Sequence, residues 1–294
     1  MVRGGNGGRG LLKAIGQGIK AAAAAIAVLA SSGLASSQLV RAGDFNFSDL
    51  EFEAGGIAIV SPRYEGSKSY QVQGVPFAFP GSKHGDNDLT FKDIDSIEYR
   101  LVKFGMFEAG PLAGAWLGRS ESDGRKLGGL GDISAGLVVG GYAAVNIGMT
   151  KFSASFHHQV TDDDVGSLVR LRADSEMPVA AGFKFLTGVG TNYATDRYMD
   201  TQFGVSAAQH LASTAGVAAY NPSAGFKDMF AGAGFEAELT ERWTAKVYGE
   251  YSRLVGDAGN SPVIETQDQF TGLLAITYQF GPLGVAPAAA APLK

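Results

Sequence analysis

Four histidines (His84, His157, His158 and His210) and no cysteine are available for nucleophilic or metal chemistry in 294 residues. A zinc site would have to draw on these imidazoles and on carboxylates. His157 and His158 are adjacent, and neighbours on a strand point to opposite faces, so the pair cannot easily share an ion. The acids of "TDDDVG" (161–166) are consecutive, without the every-second spacing of a calcium loop, and read as a turn. "GDNDLTFKD" (85–93) is slightly better spaced and reads the same way. "GVSAA" (204–208) lacks the second glycine of a nucleophile elbow. "GAGFEA" (232–237) matches a dinucleotide pattern by letters only, inside a strand with no helix after it. "GGNGGRG" (4–10) falls in an N-terminal leader. A hydrolase at a barrel rim needs a base held by an orienting group, and nothing in the sequence pairs His84 or His210 with an acid. The expectation is a protein without enzymatic activity, cofactor or metal.

The elements that would carry such residues are strands. Residues 243–254, 228–239, 149–160, 167–174 and 269–280 alternate with period two. In the last of them Phe270, Leu274, Ile276, Tyr278 and Phe280 share one face, and Thr271, Thr277 and Gln279 lie on the other. A soluble sandwich or small barrel would bury the apolar face. An outer-membrane barrel turns it to lipid and keeps a polar lumen. Segments of about 10–12 residues suit a tilted membrane strand. Aromatics such as Trp243, Tyr251, Phe270, Tyr278 and Phe280 stand near segment ends, where interfacial girdles belong.

The N-terminus supports export. Residues 1–20 carry Arg3, Arg9, Lys13 and Lys20 and no acid, followed by "AAAAAIAVLA" and small residues. That is the plan of a secretory signal peptide over 1–42, cut after Ala35, Ser37 or Ala42. Removing 1–42 takes away five Lys/Arg and no acid, so the net charge moves from −5 to −10 (19 bases against 29 acids). An acidic product argues against a nucleic-acid partner.

The expected fold is therefore all-β: a transmembrane antiparallel up-and-down barrel over 43–280. About twelve strands are expected, within ten to fourteen, near 50–61, 69–79, 88–102, 105–118, 131–143, 147–160, 166–175, 179–192, 197–206, 226–239, 243–255 and 267–280. With Phe280 at the periplasmic rim, loops 256–266 and 207–225 fall outside and "TER" (240–242) is a periplasmic turn. The same parity puts the long loop 119–132 on the periplasmic side, unless the strand count is off by one there. Arg170, Arg172, Asp174, Glu236, Glu238, Lys246 and Glu250 should face the lumen, where charge tunes a pore or pairs across strands and fills a narrow barrel. The bulk of these side chains favours a plugged or narrow lumen.

Several stretches also carry a resemblance. "SPRYEGSKSYQVQGVP" (61–76), with Pro62, Tyr64, Gly66 and Ser67, resembles the P-x-Y-x-G-S segment of the MipA/OmpV family of outer-membrane proteins. "GPLAGAWLGRSESDGRKLGGLGD" (110–132), with Gly110, Pro111 and Arg119, resembles that family's Gly-Pro strand and Gly-Arg loop. "RYMDTQFGVSAAQ" (197–209), with Phe203 and Gly204, is similar to its FGVS segment. "YSRLVGDAGNSPVI" (251–264), with Tyr251, Gly256 and Asp257, and a last strand ending at Tyr278 and Phe280 complete the order. The resemblance implies an outer-membrane barrel inserted by the barrel assembly machinery. One member is described as an adaptor between a lytic transglycosylase and a peptidoglycan synthase, and others as porin-like. A scaffold bridging murein hydrolase and synthase is thus the leading expectation, with a narrow diffusion pore as the alternative and surface adhesion third. Each motif also has a plainer reading as turn chemistry.

Residues 281–294, with Pro282, Pro287 and Pro292 among Ala and Gly, continue past the last strand and are expected to form an extended periplasmic tail. Truncation after Phe280 should leave assembly intact, scored as heat-modifiable migration of the folded barrel in membranes. Loss of the folded band would show that the tail belongs to the fold.

Overall fold

The computed structural model describes residues 52–80, 88–161 and 165–281. The expected signal peptide, the expected tail, His84 and the acids at 162–164 lie outside the described residues. One antiparallel sheet contains β1 (Phe52–Pro62), β2 (Tyr70–Pro80), β3 (Leu89–Asp93), β4 (Ser96–Tyr99), β5 (Val102–Phe104) and β6 (Phe107–Trp116). It continues through β7 (Gly136–Ile147), β8 (Thr150–Gln159), β9 (Ser167–Ala180) and β10 (Phe183–Ala194). β11 (Gly225–Glu238), β12 (Trp243–Leu254) and β13 (Asp268–Phe280) complete it. β4 and β5 both pair with β6 and are halves of one stave, so the thirteen strands make twelve staves. β13 pairs with β1 from Phe52↔Phe280 to Val60↔Gly272, which brings the ends of the chain together. The barrel is nearly closed. Only β2 and β3, the two ends of the strand order, are not joined by a ladder.

The outward face meets lipid because its residues offer nothing that water would solvate better. Phe152, Phe156, Leu171, Val189, Met229, Phe235, Val247, Leu274 and Ile276 are all exposed, at alternating positions around the wall. Near the end of β13 a ring of aromatics forms. Phe52 stacks on Phe280 at 4.5 Å, Tyr278 meets Phe280 edge-on at 4.6 Å, and Trp243 meets Tyr278 at 4.9 Å. Such a girdle marks a membrane interface. Toward the other rim Tyr193 and Phe226 pair edge-on at 5.5 Å.

The connections separate by length. Turns at 105–106, 148–149, 181–182 and 239–242 are short and lie at the girdle end. At the opposite end are 63–69, 117–135, 160–166, 195–224 and 255–267. Short turns face the periplasm and long loops the outside.

Two sequence expectations are corrected, and the errors cancel in the strand count. The segment 88–102 is not one strand: it turns back at Ile94 and Asp95, giving the β3–β4 hairpin. The segment 197–206 is no strand: Asp196–Phe203 is helix α1, whose buried Tyr198, Met199 and Phe203 recur at helical spacing. Counting back from Phe280 through the true strands puts loop 119–132 at the outer end, not the periplasmic one. Its side chains touch the other outer loops directly, as described below.

The middle of β13 should be intolerant of charge on its outer face. Leu274→Arg is expected to destabilise the barrel by about 2–4 kcal/mol, and Phe280→Arg at the interface by about 0–1 kcal/mol. Denaturant unfolding in lipid vesicles measures both; equal tolerance would mean that this face does not meet lipid.

Candidate functional site

The site is the lumen and the cap that closes it. β9 alternates, so Arg170, Arg172 and Asp174 all point inward, as expected from the sequence. Opposite them the β3–β4 hairpin leans across the interior. Its turn brings Asp95 to Arg170, whose two terminal nitrogens donate to the two carboxylate oxygens at 2.9 and 3.0 Å. This bidentate geometry is the strong form of an ion pair. Trp116 Nε1 donates to the same carboxylate at 3.1 Å. His157 Nδ1 lies 3.1 Å from the Asp95 carbonyl, and its Nε2 lies 2.9 Å from Ser155 Oγ. One rung nearer the periplasm Lys92 reaches Asp174 at 3.4 Å, and Glu98 reaches Lys151 at 3.5 Å. The other side of the hairpin is apolar: Phe91 and Ile94 pack with Ile57, Ile59, Val75, Phe77 and Leu273. Thus the hairpin is held by charge on one wall and by apolar burial on the other, and it fills the lumen between them.

The clasp continues outward. Arg170 Nε donates to Asn192 Oδ1 at 2.9 Å, and Asn192 Nδ2 donates to Asp228 Oδ1 at 2.8 Å. A register shift between β10 and β11 makes Lys227 an extra residue and turns it inward beside Asp228. Lys227 Nζ lies 2.7 Å from Asp228 and 2.7 Å from Glu65 in the first outer loop. Glu65 in turn accepts from the Tyr198 hydroxyl at 3.3 Å. An unbroken polar chain therefore links the luminal hairpin to the cap.

The outer loops form a small core of their own. Tyr64, Leu127, Leu130, Tyr198, Met199, Phe203, Val205, Val217, Ala258, Val263 and Ile264 are buried together. The motif residues mostly serve this cap. The Tyr64 hydroxyl donates to the Val263 carbonyl at 3.3 Å, and burial with Glu265 nearby pushes its pKa up to about 12. Gly66 adopts φ 93°, a left-handed turn that favours glycine, and its amide donates to Gln269 at 3.0 Å. Ser67 is buried, beyond the turn that Pro62 enters from β1. Arg119 donates to the Gln202 carbonyl at 2.8 Å, and Lys126 donates to the Pro262 carbonyl at 3.0 Å. Both contacts tie loop 119–132 to the outer loops. The Phe203 carbonyl accepts from Ser261 Oγ at 2.6 Å, and Gly204 ends α1. Gly256 starts helix α2 (Gly256–Asn260), where the Asp257 carbonyl accepts from Tyr220 at 2.9 Å. Tyr251 donates to Asp268 at the outer rim. Gly110 and Pro111 lie within β6 and touch none of this.

Of the residues expected in the lumen, Arg172 pairs with Asp174 at 3.1 Å and Glu250 at 3.5 Å, and Glu236 pairs with Lys184 at 3.1 Å. Lys246 also faces inward. Glu238 has the inward parity but stands exposed at the periplasmic rim. Reading 88–102 as one strand hides Asp95, although "DIDS" (93–96) is a turn signal inside it. Strand alternation hides Lys227 as well, although two adjacent charges in an alternating strand point to a bulge. Sequence separation hides the meeting of Ser155, His157 and Asp95. His157 is wholly buried, and Ser155 nearly so.

Removing one partner of the clasp should strand a buried charge. Arg170→Ala and Asp95→Ala are each expected to cost about 3–5 kcal/mol, and the double variant less than their sum. Denaturant midpoints in detergent micelles test this; additive losses would show that the two groups act independently.

Several solved outer-membrane proteins show some likeness to the chain. An outer-membrane channel from Pseudomonas putida F1 is 9% identical, with 82% of this chain and 100% of that chain covered and a TM-score of 0.41. OmpT of Vibrio cholerae is 8% identical over 81% and 100%, with a TM-score of 0.37. The N-terminal barrel domain of Pseudomonas aeruginosa OprF is 16% identical over 49% and 88%, with a TM-score of 0.23. Likeness of that degree bears on neither solute nor partner. Among curated proteins none matches the chain. The family comparison is of another order, because it covers residues 54–280, from the first strand to the last aromatic. The chain belongs to the MipA family, that of the MltA-interacting protein.

Proposed function

We propose that this protein is a closed outer-membrane barrel that anchors a periplasmic murein-remodelling enzyme and conducts no solute. The observation that carries the reading is the β3–β4 hairpin clasped across the lumen by Arg170 and Asp95. A narrow pore needs an open path, and here the hairpin and the cap stand in series along the barrel axis. The Ser155–His157–Asp95 contact is sealed, which favours a structural role over catalysis. The family's description names an interaction with MltA, and on this reading the same kind of enzyme docks on this chain.

The correction to loop 119–132 moves the docking face. A periplasmic partner cannot reach the outer cap, so the short turns must carry the contact. Two neighbouring turns are suited to it. Phe104 and Met106 on one, and Ile147 and Met149 on the other, are exposed apolar side chains at the periplasmic rim. Charged side chains would be expected there if the rim met only water. Export through the general secretory route is part of the same proposal.

Two measurements test it. Purified protein in planar bilayers should give no stable unitary current. Photo-crosslinking residues at Met106 and Met149 should trap a lytic transglycosylase in cells, and one at Leu211 on the cap should not. Steady unitary currents from the intact barrel would sink the closed reading; adducts confined to Leu211 would sink the periplasmic one.

A further inference from the structure

Every neighbouring pair of staves except one is joined by a backbone ladder. β2 and β3 meet only through side chains, with Phe79 and Phe91 at 6.0 Å between ring centroids. β2 is built for this. Proline cannot donate to a ladder, and Pro76 and Pro80 suit an edge that no strand meets. A bare edge cannot face hydrocarbon, but it can line a wet cavity. Such a cavity, about 290 Å³, lies in the periplasmic half of the lumen directly behind the seam.

Its lining has two characters. On the seam side are Phe77 and Phe79 of β2 and Leu89 and Phe91 of β3. On the far side is Lys246 of β12. Lys92 also lines it and is engaged by Asp174 at 3.4 Å. Glu53, from the first stave, lines the cavity near its periplasmic end. Lys246 stands directly opposite Glu236 in the ladder, yet Glu236 is taken by Lys184 at 3.1 Å on its other side. Among the described residues Lys246 Nζ has no hydrogen bond and no ion pair within 4.0 Å. An ammonium in an enclosed lumen whose carboxylate neighbours, Glu236 and Glu176, stand beyond ion-pair distance leaves a place for an anion. Its donors face a wall of aromatic rings across a space near the lower end of ligand-pocket sizes.

We infer that this cavity binds a single-chain anionic amphiphile, its head on Lys246 and its acyl chain leaving for the bilayer through the β2–β3 seam. No ladder has to break to admit a chain there; the side chains that close the seam, Phe79 against Phe91 and Val75 and Phe77 against Phe91 and Ile94, must part. The cavity lies level with the periplasmic leaflet, so a free fatty acid and an anionic lysophospholipid are the two sources of this chemistry.

The test uses the full barrel in nanodiscs of zwitterionic phospholipid. A fatty acid carrying a diazirine midway along its chain should crosslink to Phe77, Phe79, Leu89 or Phe91. cis-Parinaric acid should bind saturably, with Lys246→Gln weakening it about tenfold or more and Lys246→Arg close to the parent. Heat-modifiable migration checks that both variants are folded. Competition by lysophosphatidylglycerol as well as by oleate would mean a site open to both heads, and competition by oleate alone a free fatty acid site. Crosslinks confined to outward residues such as Leu274 and Ile276, or equal binding by Lys246→Gln, would overturn the inference.

Discussion

A carboxylate buried inside a membrane barrel must find a cation, and Asp95 finds Arg170. The rest of the interior follows from that pairing. Because the two oxygens of Asp95 are both taken by one guanidinium, the β3–β4 turn is fixed in position as well as in charge. Trp116 and His157 add hydrogen bonds from two further staves. The β3 side of the hairpin that carries Asp95 is drawn inward, and the wall is left with a seam where β3 would have paired with β2. Plug and seam are two results of one interaction.

The same chain of polar contacts reaches the cap. Arg170 hands on to Asn192, Asp228, Lys227 and Glu65, so the lumen and the outer loops are ordered together. The cap has a hydrophobic core in which Phe203 and Leu127 are fully buried. Motif residues that read as loose turn chemistry in the sequence are therefore the parts of a packed lid. Tyr64, Arg119, Phe203 and Asp257 come from four separate connections and meet within it. The periplasmic end has no comparable cover among the described residues, which gives the barrel a closed outer face and a more accessible inner one.

Alternation made much of this legible. In β8, β9, β11, β12 and β13 the inward and outward faces could be assigned residue by residue, because a strand shows its environment with period two. Where strands are short or bent the signal fails. β3 and β4 span too few residues to show a period, and their apolar members pack into the lumen, against the rule that held elsewhere. The stretch at 197–206 is apolar at positions that serve a helix as well as a strand, and length alone does not arbitrate. These two misreadings left the total of staves unchanged but reversed the parity between them, which is why loop 119–132 was assigned to the wrong side.

Residue order by itself determined that the chain is a barrel of about this size, which face of five of its strands meets lipid, and where the last strand ends. These are local properties, set by which side chains neighbour one another along the chain. Whether the barrel is open was decided only in three dimensions. Asp95 and Arg170 are 75 residues apart, and Lys227 and Glu65 are 162 apart. No spacing in the sequence announces such pairs. They form because a nearly closed sheet brings distant staves within reach across a narrow, poorly solvated interior, where an unpaired charge is costly.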